Sequence, residues 1–396
     1  MSCKAEAAAT EDVKQTDIEG KMMDDSTPRD ASDDPMRQPL QCKPDWPQAQ
    51  DRWIAFWECA NTDRPLMDVR GPSGVEAPPL PPPDDLEQLY MDPDYVARVW
   101  LRNAETTFFA GEAVPTTGFL MGGYALGCGP GVGFAPDTVW HPITMSSLDG
   151  PVEWHPGPDD PWTQKLEAVV RRLIDVAPGR FLVGHVMQVP ANDLLMLLRG
   201  SMDFLPELAI DMEKCRLRLK ETFDLWLDSF EYFRRIVDAQ GVGCIAPWPG
   251  LWSPDQFMTT QSDMSCMISA EQFESYVMYE MDMLAEYCDK IWYHVDGPDA
   301  RRHVPALLSR PYMRAIQYVA GAGNPPNGPA YLDLYREVQA AGRCLDIDVP
   351  PENVEYIVRH LRPEGLVIRT WAPSRERAEE LIHLTGKWSG THALEE

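Results

Sequence analysis

From about Pro178 onward, short apolar runs alternate with longer amphipathic segments. The runs Arg180–Met187, Val242–Trp248, Lys290–Gly297, Arg314–Gly321, Arg343–Val349 and Gly365–Ala372 have the length and content of buried strands. Between them, Leu205–Ala239, Ala270–Cys288, Asp299–Ser309, Ala330–Ala341, Glu352–Leu361 and Ser374–Thr385 repeat their apolar residues at helical spacing. Strict strand–helix alternation builds right-handed βαβ units and therefore a parallel sheet. Two earlier segments, Leu66–Arg70 and Thr117–Gly123, bring the strand candidates to eight. That count predicts an α/β protein folded as a single (β/α)8 TIM barrel, with functional groups at the C-terminal ends of its strands. No G-x-G-x-x-G follows the first strand, so no nucleotide cofactor is expected, and the glycine-rich Leu126–Phe134 reads as a turn.

The N-terminal residues carry a different pattern. Through Pro39 they are rich in Asp, Glu, Ser, Thr and Ala and nearly devoid of large apolar side chains, which predicts a disordered acidic extension over residues 1–44. Trp46, Trp53, Phe56 and Trp57 then fall at helical spacing and mark the start of the barrel domain, 45–396. The run Ala77–Asp85 is proline-rich and predicts an extended surface loop.

Composition narrows the function. With 35 Lys and Arg against 62 Asp and Glu, the formal charge is −27, which opposes nucleic acids and anionic membranes as partners. Nine cysteines without framework spacing read as reduced thiols. There is no basic, apolar leader and no apolar stretch near eighteen residues, so the expected location is cytoplasmic.

The candidate chemistry lies at strand ends. In Tyr293-His294-Val295-Asp296-Gly297, alternation puts His294 and Asp296 on one face, where they could ligate a metal or act as an acid/base pair. The alternative is a buried His–Asp bond that orders the rim. Gln261 and Asp263 lie in a polar segment before a helix whose start, Ser269 with Gln272, has the form of a capping box. Trp248 and Trp252 fall in a loop after a strand and could wall a pocket. Gln317 is polar within an apolar strand and needs a partner. Glu112, His185, Gln188, Asp346, Asp348, Thr370 and Trp371 are weaker candidates.

Taken together, the segments DRWIAFWE, GEAVP, NDLLMLLRGSMDFLPEL, QSDMSCMISAEQFESYV, YHVDGPDARRHVPALL and IQYVAGAG resemble the uroporphyrinogen decarboxylase superfamily. The resemblance runs from about Asp51 to the C-terminus. It implies a TIM barrel and either a cofactor-free decarboxylase or a corrinoid-linked, zinc-dependent methyltransferase. In the decarboxylases an Arg-rich start grips substrate carboxylates. Here Asp63-Arg64-Pro65 is similar and Arg70-Gly71 follows, but the second Arg of that motif is absent. In the methyltransferases a His-x-Cys-Gly supplies zinc ligands, and His294 and Gly297 match while Asp296 replaces the Cys. The resemblance thus implies possible zinc at His294 and Asp296, with Glu112 as a further ligand, a possible corrinoid protein partner and a possible homodimer. The expected activity is methyl transfer from a small methylated donor, with Asp263, His294 and Asp296 as its catalytic residues. Trp248, Trp252, Gln261, Gln317, Arg64 and Arg70 are the expected substrate contacts. The alternatives are a carboxy-lyase and a non-catalytic binding barrel.

Overall fold

Short β-branched and aromatic runs that are buried on both faces form the centre of the molecule. In the computed structural model, which describes residues 34–389, the strands are β1 Leu66–Pro72, β2 Thr107–Gly111, β3 Gly133–Phe134, β4 Val139–Trp140, β5 Cys244–Ala246, β6 Leu251–Ser253, β7 Met258–Gln261, β8 Ile291–Asp296, β9 Met313–Val319, β10 Cys344–Asp348 and β11 Leu366–Trp371. Seven of them hydrogen-bond into one sheet in the order β2-β1-β11-β10-β9-β8-β7. Every pairing is parallel except β1 with β2. The protein is therefore α/β with a mixed, mostly parallel sheet. Helices connect the parallel strands, as the alternation predicts.

Three strand expectations fail, one of them because Val242–Trp248 yields only β5, which pairs antiparallel with β6 outside the seven-stranded sheet. The segment Thr117–Gly123 runs into a 3-10 turn, Met121–Ala125, and Arg180–Met187 contributes only an isolated bridge between Thr116 and Leu182. Glycine explains the failure at Thr117–Gly123, since Gly122 and Gly123 pack so closely that a Cβ would meet Met91 Sδ at 2.8 Å and the Met187 carbonyl at 2.2 Å. The long candidate helix Leu205–Ala239 is two helices, Ser201–Ile210 and Met212–Asp238. They are separated at Asp211, whose carboxylate accepts from Lys214 N and caps the second helix. The capping box is present: the Ser269 side chain accepts from Gln272 N, and Gln272 bonds back to Ser269 N.

The acidic extension falls largely outside the described residues. Its last part is packed: Leu40 is buried, Gln41 N donates to the Gly179 carbonyl (2.8 Å), and the fully buried Lys43 donates to Asp45 (2.9 Å). The packed chain thus begins before Asp45. The helix Trp46–Trp57 buries Trp46, Trp53, Phe56 and Trp57 at one end of the sheet, as its spacing predicts. The proline-rich loop has no regular structure, and Arg102 holds it by donating to the carbonyls of Ala77 and Pro78 (3.3 and 3.2 Å). No described helix is long and apolar enough to cross a membrane.

One pair fastens the weakly bridged segment to its helix. His185 Nε2 lies 2.9 Å from Asp238 Oδ1, at the C-terminal end of the helix Met212–Asp238. Burial alone would lower the imidazole pKa, but the neighbouring Cys244 and Asp238 outweigh it and raise it to about 9. The helix dipole adds to the same side. Because the folded value lies above the unfolded one, the stabilisation is complete below about pH 6.5 and lost as the pH rises through about 9. In urea denaturation, wild type should lose roughly 2 kcal/mol across that window, and His185→Gln should show little of this loss.

Candidate functional site

Strand register aligns the polar residues. Gln261 on β7 pairs with His294 on β8, His294 with Gln317 on β9, and Gln317 with Asp346 on β10. One row of four neighbouring strands is thus polar. Beyond it Arg369 on β11 pairs in register with Asp348 on one side and with Asp68 of β1 on the other.

At its Asp346 end the row meets a buried ion network. Arg369 donates Nη1 to Asp68 (2.6 Å), and Nε and Nη2 to the two oxygens of Asp346 (2.8 and 3.0 Å). Arg70 donates Nε and Nη2 to Asp68 (both 2.8 Å), and Trp292 Nε1 donates to Asp346 (3.1 Å). The neighbouring guanidiniums hold Asp68 below its ordinary carboxylate range despite full burial. Asp348, at the end of β10, has no bonded cation. Crowding by protein, together with Asp346 and Asp68, raises it to about 6, against the pull of Arg369 and Arg70.

Two cavities open beside this row. The larger, about 610 Å³, is lined by Asp68, Arg70, Gln317, Asp348 and Arg369, with Trp248 forming a wall. The smaller, about 320 Å³, lies across Trp248 and is lined by Phe119, Tyr124, Met187, Gln188, Thr260 and Gln261. In it the buried Gln188 amide and the Thr260 hydroxyl have no hydrogen-bond partner. Unsatisfied buried donors and acceptors facing a cavity mark a place that a ligand can complete. Trp248 itself packs edge-on to Trp292 (5.6 Å) and His294 (4.9 Å).

His294 is nearly buried, which lowers its pKa against the opposing effects of Gln317, Asp296 and Asp263. Its Nδ1 lies 2.5 Å from Gln317 Oε1. An amide oxygen only accepts, so Nδ1 carries the proton and Nε2 presents a lone pair. The two orphan-looking polar residues of adjacent strands are therefore each other's partner. Asp296 is exposed at the end of β8 and acts on His294 only through its charge. Asp263 is bonded by Gln261 Nε2 (2.8 Å), and its own N–H donates to the buried Asp193 (2.7 Å). Partial desolvation raises the Asp263 pKa, opposed by His294 and reinforced by Asp296. Burial and the Asp263 charge push Asp193 well above its usual range.

Several expected contacts lie elsewhere. Glu112 and Arg64 bind each other through two hydrogen bonds (2.7 and 2.8 Å), and Glu112 also accepts from Met67 N (2.8 Å) and pairs with Arg52 (3.0 Å). Glu112 is a structural counter-ion near the start of β1, with no capacity left for a metal. Trp252 is buried against Trp46 and donates to the Val242 carbonyl (2.8 Å), so it lines neither cavity. Asp68, Arg369 and Asp193 were not anticipated. The available signal was a charge inside an apolar strand run, in Leu66–Arg70 and Gly365–Ala372.

Zinc does not fit this donor set. A protein zinc site needs three or four ligands, and among the described residues no group of three or more His, Cys, Asp or Glu could hold a metal. His294 meets Gln317 and Trp248 rather than a second ligand.

The hairpin β5–β6 carries Trp248 and approaches the ion network closely. Gly250 has φ +89°, and a Cβ there would lie 2.6 Å from Arg70 Nη2. Its carbonyl accepts from Arg369 Nη1 at 3.4 Å.

No protein-family model matches the sequence, and no curated protein matches it. Among solved structures, the chain is similar to a methyltransferase from Methanosarcina mazei, with a TM-score of 0.53 and 11% identity. The match covers 86% of this chain and 98% of that one. The fold thus resembles that of this methyltransferase.

Removing the central cation should leave the buried Asp346 with no cation and Asp68 with Arg70 alone. Arg369→Met is expected to destabilise by about 3–5 kcal/mol in urea denaturation. Arg70→Met, at the solvent-reached side of the network, should cost no more than about 1 kcal/mol.

Proposed function

We propose that the chain is a (β/α)8-barrel enzyme of the uroporphyrinogen decarboxylase and cobalamin-dependent methyltransferase type, transferring a methyl group from a small methylated donor. The barrel reading is supported by hydrogen bonds among the segments that follow β2 and precede β7. Leu182 N donates to the Pro115 carbonyl (2.8 Å), and His185 N donates to the Ile245 carbonyl (2.9 Å). The methyltransferase fold likeness supports the reaction class.

The observation that carries the reading is the charge balance around Trp248. Both guanidiniums of the larger cavity are engaged by carboxylates, whereas Asp348 is not engaged by a cation. A polycarboxylate would find no free clamp there, and burying its charges unpaired is costly. A methylated ammonium suits the site better: an indole face attracts it by cation–π interaction, and a neighbouring carboxylate balances its charge. Gln188 and Thr260, across Trp248, supply polar contacts for the rest of the donor.

In the reaction the methyl group leaves as CH3+ and the bonding pair stays on the donor nitrogen. A quaternary donor therefore departs as a neutral amine without needing a proton. A less substituted donor reacts while it keeps its extra proton, so that it too departs as a neutral amine rather than as an amide anion. The acceptor is a nucleophile at the mouth of the strands, for which a corrinoid protein is the partner to test.

Titration calorimetry with tetramethylammonium and methylated amines should show binding that Trp248→Ala weakens about tenfold, since cation–π contacts contribute roughly 1–2 kcal/mol. Affinity should rise as the pH passes about 6 and Asp348 ionises, and Asp348→Asn should flatten that profile. With reduced cobalamin present, the bound donor should lose methyl groups by proton NMR. Stronger binding of uroporphyrinogen than of any methylated amine would overturn the proposal.

A further inference from the structure

The helix Trp46–Trp57 ends in an unusual way. Cys59 N donates to the Phe56 carbonyl (3.0 Å) and Ala60 N to the Ala55 carbonyl (2.7 Å), closing the last turn. Cys59 occupies the left-handed position of that turn, with φ +52°, and is the only described non-glycine residue with positive φ. Glycine is the usual occupant there, and a side chain is strained. What the strain achieves is an aim. Cys59 Sγ points at Cys344 Sγ, 3.7 Å away, on the first residue of β10. Gly365 keeps the approach open, since a Cβ there would lie 2.7 Å from Cys59 Sγ.

The pair is asymmetric. Cys59 is partly exposed, whereas Cys344 is fully buried. Arg314 donates to the Trp57 carbonyl through Nε (2.6 Å) and brings Nη2 within 3.8 Å of Cys59 Sγ. The hydrogen bond from Cys344, with the charges of Arg314 and Arg362, lowers the Cys59 pKa to about 6 against its partial burial. Burial and the adjacent Cys59 push Cys344 well above the ordinary thiol range. At neutral pH the reachable sulfur is a thiolate and the buried one a thiol. Other described thiols lack this arrangement: burial raises Cys42 to about 11, and Cys266, though exposed, has no cation or second thiol bonded to it.

We propose that Cys59 and Cys344 form a peroxide-reactive dithiol, with Cys59 as the attacking sulfur and Cys344 as the resolving one. The site lies at the N-terminal end of β10, whereas the cavities lie at the C-terminal ends of the strands, so it does not depend on the methyl-transfer reading. The Cys59 thiolate attacks one oxygen of a hydroperoxide, the O–O bond breaks, and the departing oxygen takes a proton from water. Cys59 is left as a sulfenic acid, oxidised by two electrons, and the peroxide is reduced to an alcohol or water. Cys344 then loses its proton and attacks Cys59 Sγ. The sulfenic oxygen leaves with that proton as water, and a disulfide forms. Shortening 3.7 Å to an S–S bond of about 2.0 Å requires a small shift of the two sulfurs toward each other. An external dithiol restores both sulfurs by exchange.

The test treats full-length protein with one equivalent of hydrogen peroxide at pH 7, followed by thiol counting and non-reducing peptide mapping. A Cys59–Cys344 linked peptide and the loss of two thiols per peroxide are expected. Cys344→Ser should leave Cys59 open to trapping by dimedone, and Cys59→Ser should consume peroxide at least tenfold more slowly. The wild-type rate should reach half its maximum near pH 6. Oxidation that falls first on Cys266, or a Cys59→Ser protein that reacts as fast as wild type, would overturn the proposal. The wild-type peptide map decides the matter even if a variant fails to fold.

Discussion

A buried guanidinium between two carboxylates is the constraint around which this molecule is arranged. Arg369 on β11 reaches Asp68 on β1 and Asp346 on β10, so three adjacent strands share one charge network whose carboxylates are almost wholly buried. Taking such ions out of solvent is expensive, and the expense is offset only while all partners keep their geometry. A slip of any of these strands by one residue would turn the charged side chain to the opposite face. The network therefore fixes register as well as charge. It also decides the character of the larger cavity, because it consumes both arginines and leaves Asp348 without a bonded cation.

The remaining polar row extends this logic across the sheet. His294 and Gln317 are register neighbours, and the amide oxygen selects the imidazole tautomer. Trp292 links that pair to the ion network, since it donates to Asp346 and stacks on His294 with an interplanar angle of 16°. The cavity wall at Trp248 rests on both rings. Charge, tautomer and wall position are thus set by one contiguous group of side chains.

Local chemistry was legible in the sequence and long-range pairing was not. The alternation of apolar runs revealed the α/β class and most of the parallel strands, and the capping box and the Trp-rich helix were evident from spacing. The segment Thr117–Gly123 misled because its apolar content suits a strand, while its paired glycines allow an approach that no strand needs. His294 and Gln317 each stood out as polar residues in apolar runs, yet nothing in their separation of 23 residues indicated that they meet. Asp68 and Arg369 lie 301 residues apart, and only the sheet order makes them neighbours. Glu112 and Arg64 illustrate the opposite error. Their types suit a ligand and a carboxylate clamp, but each satisfies the other near the start of β1.

The contact at Gly250 has a consequence for how this protein can vary. A side chain at that position would push Arg70 from Asp68 and shift the hairpin that bears Trp248. The aromatic wall and the charge network are therefore not free to change one at a time. A substitution at Gly250 should be tolerated better where Arg70 is already shortened than where it is intact. Sequence change at this site is then epistatic, and the residues most bound to be inherited together belong to a turn and a strand that are remote in the chain.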